Sequence, residues 1–219
     1  YTIYVSKEVK GLVERKIGIS KNHSVLYNYV DDKFFRIKRD AYKHQKPIRI
    51  ISVGNLRPEK NYEFIIENIS KFKSNDIILD IYGVGALEKE LQEIISLESI
   101  TNINLMGASN CIDVELANYD LFLMASKYEG FGIALAEAMA VGMPVVVSDI
   151  RVFREVTNNE AIYFNLDNDG LHKVLCRVIN NEFDISKVGI KMRDASKRYK
   201  KNLYIKNIEY IYNNHKPYK

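Results

Sequence analysis

Five apolar runs, Ile48 to Val53, Ile77 to Tyr82, Ile103 to Met106, Leu121 to Met124 and Val145 to Val147, recur along the chain with room for a helix between neighbours. Apolar residues in succession, rather than in alternation with polar ones, mark strands covered on both faces. The intervening segments have helical periodicity. Tyr62 to Phe72 carries apolar residues at 62, 65, 66, 69 and 72, and Ala86 to Ile95, Ile112 to Ala117 and Ile133 to Val141 follow. Strand and helix in this order build a parallel sheet clothed on both sides, because parallel neighbours must be joined by a crossover. The expected class is α/β, doubly wound. A short strand at Ala161 to Phe164 and a helix near Gly170 to Ile179, introduced by Asp167-Asn168-Asp169, extend it.

The flanks read differently. Residues 1–46 suggest a strand, a helix over Lys7 to Lys16, a strand over Val25 to Tyr29, and a polar connector from Asp31 to Lys46. A β-α-β unit that begins at residue 1 is expected to be the edge of another sheet, with further structure before it. Residues 47–183 form the expected main domain and 184–219 a basic helical tail. From Ser186 onward ten Lys and Arg face only Asp194 and Glu209, so the net charge of +4 hides an acidic body and a basic end. Such an end suits an anionic membrane surface, an acidic neighbouring domain or nucleic acid, or is simply a solvated helix face.

With 47% apolar residues and 219 positions the chain can bury a core unaided. Cys111 and Cys176 stand apart, without a CxxC or a histidine cluster, so a disulfide framework or zinc site is not expected, and a reducing cytoplasm fits. His23, His44, His172 and His215 lie in polar contexts and read as surface residues.

In an open parallel sheet ligands bind beyond the carboxyl ends of the strands. There this sequence places Gly54-Asn55-Leu56-Arg57-Pro58-Glu59-Lys60, Gly83-Val84-Gly85, Gly107-Ala108-Ser109 and Glu129-Gly130-Phe131-Gly132. Glycine at these ends permits positive φ or close approach of a ligand to the backbone. Gly83-Val84-Gly85 lacks the third glycine of a dinucleotide fingerprint and is not on the first strand of the fold. Gly130-Phe131-Gly132 instead opens the helix from Ile133 to Val141, whose free N–H groups and dipole suit a phosphate. Glu137 is the one charged residue in that helix. It requires a salt bridge, a backbone amide or a ligand hydroxyl as partner. Glu129 lies eight residues before it, and Arg57 and Lys60 supply the positive charge that two carboxylates near a phosphate demand. A diphosphate flanked by hydroxyl-bearing groups, as in a nucleotide-sugar, fits this set.

The segment from Tyr128 to Val146 resembles the E-x7-E region of family 4 retaining glycosyltransferases with the GT-B fold, and similarity extends from Ile51 through Lys60-Asn61, Leu79 to Gly85 and Asn104 to Gly107 to about Ile179. The resemblance implies the C-terminal, donor-binding half of a two-domain enzyme, a Rossmann-like domain whose N-terminal partner is mostly missing. It implies that Glu137 bonds the donor ribose, that the Gly130, Phe131, Gly132 and Ile133 backbone holds phosphate and sugar hydroxyls, and that Glu129 faces the transferred sugar as the catalytic residue. Met106, Gly107 and Ser109 would receive the nucleobase. Gly54, Gly83 and Gly85 would border the donor. Lys60 matches a pyrophosphate-clamping lysine, whereas Asn55 replaces the family's other basic residue and Arg57 is placed to compensate. The donor would be a UDP- or GDP-linked sugar, with no metal required. The acceptor would be a glycan or lipid-linked molecule reached through the missing domain, so this piece would bind nucleotide without turnover. A location in the cytoplasm, at the inner face of the plasma membrane, follows from cell-surface polysaccharide synthesis, and nucleic acid is not an expected partner. The competing reading is a non-catalytic subunit of the same fold, or a nucleotide-binding module. Asp167-Asn168-Asp169 reads as a helix N-cap rather than a metal-binding DxD, and Asp31-Asp32 as linker.

Overall fold

A computed structural model of the chain describes residues 1–19, 22–39, 42, 44–167 and 169–214. It opens with β1 (Thr2–Tyr4), α1 (Lys7–Ile17) and β2 (His23–Val25), a two-stranded parallel unit, followed by α2 (Asp32–Arg36). The main domain runs β3 (Ile48–Val53), a 3-10 turn at Pro58–Lys60, α3 (Tyr62–Ile69), β4 (Ile77–Tyr82), α4 (Glu88–Leu97), β5 (Ile103–Gly107), α5 (Ile112–Leu116), β6 (Leu121–Met124) and α6 (Ile133–Val141). It continues through β7 (Val145–Ser148), α7 (Arg151–Val156), β8 (Ile162–Phe164), α8 (Gly170–Ile179), α9 (Ile185–Ser196) and α10 (Lys201–Asn214).

Six parallel strands form one sheet in the order β5-β4-β3-β6-β7-β8. The order reverses between β3 and β6, so loops leaving their carboxyl ends diverge and open a crevice. Successive strand residues serve opposite layers. Ile50 and Leu79 join the core beneath α3, α4 and α8, while Ile51 and Phe122 join the one beneath α2, α5, α6 and α7. The helix from 133 to 141 is buried, as its sequence requires, and glycines in the left-handed region end it on both sides: Gly132 at φ 85° and Gly142 at φ 87°.

Four local expectations need correction. The second strand ends at Val25, because Tyr27 and Tyr29 leave the ladder to contact other aromatic rings. The connector carries a helix: Asp31 caps α2 by accepting from the Lys33 N–H at 3.0 Å, and Phe34 is inserted against α6 with 2% exposure. Asp169 stands at the N-cap of α8 but its side chain makes no capping bond, and Asn168 lies outside the described residues, as does His215. His172 is half-buried, stacked on Phe72 at 4.5 Å.

The segment 184–199 is built into the domain. Gly189 in α9 allows backbone contact, since a Cβ there would stand 2.6 Å from the Gly142 oxygen. Arg193 donates to the carbonyls of Phe35, Ile37 and Val141 and so joins the ends of α2, α6 and α9. Beyond it α10 buries only Ile211 and leaves Leu203, Ile205, Tyr210 and Tyr212 exposed. No helix among the described residues is long and apolar enough to cross a membrane. Phe34→Ala should cost about 3–4 kcal/mol, the usual loss for a buried phenyl ring, read as a lowered urea midpoint.

Candidate functional site

The first wall of the crevice is made where two loops touch through their backbones. The Leu56 N–H donates to the Val84 carbonyl at 3.0 Å and the Leu87 N–H to the Leu56 carbonyl at 3.1 Å. Gly83, at φ 148°, faces the Gly54 carbonyl so closely that a Cβ would lie 1.9 Å from its oxygen, and at Gly85 a Cβ would lie 2.4 Å from the Leu56 oxygen. Gly83 reaches the crevice, whereas Gly85 lines a separate groove beside Lys89 and Leu105.

Against this wall lies a cleft of about 200 Å³, lined by Val53, Gly54, Asn55, Tyr82, Gly83, Val84, Ala108, Ser109 and Ile112. Gly107 has φ 70° and open space where a side chain would be. Ser109 accepts from the Cys111 N–H at 3.1 Å, which shapes the entry to α5. Met106 is exposed and is not among the residues lining the cleft.

Beneath the cleft sits a polar network that the sequence reading did not isolate. Asp80 accepts from the Tyr119 hydroxyl at 2.6 Å and from Asn104 Nδ2 at 2.7 Å, and the Tyr82 and Tyr119 hydroxyls are 3.2 Å apart. Burial, together with the bond to Asp80, pushes the Tyr119 phenol far up, so it stays a donor. A carboxylate inside the apolar run 77–82 was the available signal.

The mouth is charged. Lys60 and Glu129 form an ion pair, both side chains largely covered, and the Ser126 hydroxyl donates to the same Glu129 oxygen at 3.2 Å. The Lys127 N–H donates to the Glu59 carbonyl at 2.9 Å, which fastens the β3 and β6 loops together. Arg57 is exposed at the rim, and its side chain makes no hydrogen bond or ion pair among the described residues. The far side of the mouth is the start of α6. Its N-cap, Gly132, has no side chain to close the first turn. Ile133 is half-exposed there, and Gly130 lies against Val5 of the N-terminal unit, with room for a Cβ at 3.6 Å. Phe131 points away from the mouth, its ring 6.1 Å from that of Tyr27 and 5.0 Å from that of Tyr199. Only its backbone can serve a ligand.

Glu137, one turn into α6, is half-buried and its side chain has neither a salt bridge nor a hydrogen bond among the described residues, so neither structural partner considered for it is present. Burial pushes its pKa up to about 7; Lys33 opposes this, while Asp113 and Asp31 add to it. Lys33, from α2, is held 3.0 Å from Asp113 of α5. The connector helix therefore supplies a charge to the site, a role hidden in its polar composition. Among the described residues no group of three His, Cys, Asp or Glu side chains is placed to hold a metal.

The six-stranded Rossmann-like sheet with its crevice over β3 and β6 has the architecture of one half of the GT-B fold, which the solved structures it superposes on share. Anabaena HepE in complex with UDP and glucose superposes with a TM-score of 0.84 at 16% identity, over 97% of this chain and 62% of that one. Residues 34–202 match the family model described as glycosyl transferases group 1, and the chain belongs to that family. Among curated relatives, the GtfA subunit of the Streptococcus agalactiae UDP-N-acetylglucosamine–peptide N-acetylglucosaminyltransferase is 30% identical over 148 residues, 65% of this chain and 29% of the relative. The O-antigen chain mannosyltransferase RfbU of Salmonella typhimurium is 29% identical over 173 residues, 77% of this chain and 48% of the relative. The chain thus spans at most about half the length of these two relatives.

Proposed function

We propose that this chain is the donor-binding half of a retaining glycosyltransferase that moves a sugar from a UDP- or GDP-linked donor to a glycan or lipid-linked acceptor. The observation that carries the reading is Glu137, a half-buried carboxylate whose side chain has no salt bridge or hydrogen bond among the described residues, one turn inside a helix whose N-terminus is uncapped. A ribose hydroxyl donating to Glu137 would leave the diphosphate at the N–H groups of residues 132–133, with Arg57 and Lys60 in reach. The base would occupy the cleft between Gly54 and Ser109. Lys60, held by Glu129 in the free protein, would exchange that partner for phosphate as the leaving group gains charge, and Glu129 would then face the sugar. The residues at the mouth provide this charge stabilisation without a metal. Turnover would require the acceptor side of the enzyme. Membrane-surface work in the cytoplasm, in cell-surface polysaccharide synthesis, suits the basic residues before and within α10.

Calorimetry with UDP, GDP and ADP tests the proposal. Micromolar to submillimolar binding of one of them is expected, and no binding of any at millimolar concentration would sink it. Lys60→Ala and Arg57→Ala should each weaken the bound nucleotide by about tenfold, the scale of one charge-assisted phosphate contact. Affinity unchanged in Arg57→Ala and Glu137→Ala would favour the non-catalytic alternative, to which Asn55 at the cleft points.

A further inference from the structure

The loop that opens α6 is supported from behind by parts of the chain distant in sequence. Phe131 is enclosed by Tyr27 and Tyr199, whose own rings are 5.7 Å apart and near perpendicular. Tyr27 is in turn fixed by its hydroxyl, which donates to Glu155 Oε1 at 2.8 Å. The same carboxylate accepts the Lys7 N–H at 2.7 Å and the Glu8 N–H at 3.1 Å, the first amides of α1. It therefore fills the positive end of that helix, as an anion would. Arg198 lies over the rings of Tyr27 and Tyr199 and donates to the carbonyls of Glu155 and Val156, and the Tyr199 hydroxyl donates to the Val156 carbonyl at 2.9 Å. On the site side, Gly130 meets Val5, and Gly132 meets the Phe153 ring of α7, two residues before Glu155.

We propose that Tyr27 and Glu155 are positioning residues for the Gly130–Ile133 loop, coupling the seating of the N-terminal β-α-β unit to the geometry of the helix terminus that receives the donor. Neither touches the crevice. Glu155 joins three things at one carboxylate: the start of α1, the tyrosine behind Phe131, and α7, whose Phe153 borders Gly132. A small shift of the β-α-β unit would reach Phe131 through Tyr27 and Gly130 through Val5, because close-packed aromatic contacts pass displacement on rather than absorb it. Glu155 is an acceptor for three donors at once, and its charge strengthens each of those bonds.

The idea rests on the donor reading only for its consequence, not for the coupling. Tyr27→Phe removes one hydroxyl and keeps the ring, and Glu155→Gln keeps the shape and loses the charge. Amide hydrogen exchange of the free protein is measured in both variants, beside UDP calorimetry. Exchange at residues 136–138, the first hydrogen-bonded amides of α6, is expected to accelerate about tenfold or more while β3, β4 and β5 keep their protection, with donor affinity falling several-fold. Unchanged exchange at 136–138 in both variants would overturn the proposal. Equal acceleration across the whole sheet would overturn it too, since that is the mark of a residue that only stabilises the fold. If the wild-type protein bound no nucleotide, the donor reading would fail while the exchange pattern still decided the coupling.

Discussion

Replacing Glu137 by glutamine is expected to stabilise the free protein above pH 7 while weakening nucleotide binding by roughly tenfold to a hundredfold, the range for a hydrogen bond to a charged group. The two effects share one cause. Burial raises the Glu137 pKa from 4.5 to about 7, so ionisation is harder in the folded state than in the unfolded chain. Below pH 4.5 the group is protonated in both states and costs nothing. Between about 4.5 and 7 the unfolded chain loses its proton first, so stability falls as pH rises, and above 7 the full penalty is present. That penalty is at most about 3 kcal/mol, less whatever solvent reaches the carboxylate. Glutamine avoids it and should melt a few degrees higher at pH 8 but not at pH 4.5. A bound ribose hydroxyl would prefer the carboxylate, so wild-type affinity should rise with pH through about 7 and the glutamine variant should stay flat. A glutamine variant less stable than wild type at pH 8 would mean that Glu137 holds a structural partner, and its role toward a ligand would have to be abandoned.

What the sequence made legible follows the range of the forces. The α/β class was set by local period: predominantly apolar runs for β3, β4, β6 and β7, a helical repeat for α3, and for α6 a stretch apolar at every position but Glu137, which suits a buried helix. The crevice followed, because strand-end glycines mark it whichever topology the sheet adopts. The ends of elements were harder to read. The residues after Val25 have good strand propensity, yet Tyr27 is drawn off by Glu155, a partner 128 positions away. Phe34 sits in a stretch that reads as linker, and one phenyl ring was enough to anchor it. Glu137 stood out as the one charge in an apolar helix, whereas Lys33 and Asp113, which meet beside it, lie in ordinary polar surroundings and are brought together only by the fold. The helix α9 was read as tail because of its lysines, but Gly189, Met192 and Arg193 on its inner face decide where it lies.

The strand-end glycines give the second large effect, because they look alike in sequence and should behave oppositely. Gly83→Ala is expected to prevent folding or to cost more than about 4 kcal/mol, an exceptional loss for one methyl group. Its Cβ would stand 1.9 Å from the Gly54 oxygen at φ 148°, a backbone shape that side chains rarely adopt, and the obstacle is backbone rather than a side chain able to turn aside. Gly85→Ala should act in the same direction through the Leu56 backbone at 2.4 Å. Gly107→Ala meets nothing within 4 Å, so only its φ of 70° matters, and the expected cost is about 1–2 kcal/mol. Urea denaturation and soluble yield separate these outcomes. Calorimetry then asks whether the methyl group at position 107 obstructs nucleotide. If it does, with the fold intact, Gly107 is glycine for the ligand, while Gly83 and Gly85 are glycine because two loops must touch to build the wall on which that ligand rests. If Gly83→Ala instead folds normally and loses only affinity, the contact between those loops is not what requires glycine there. The wall would then have to be flexible enough to move aside, which the hydrogen bonds from Leu56 to Val84 and from Leu87 to Leu56 oppose.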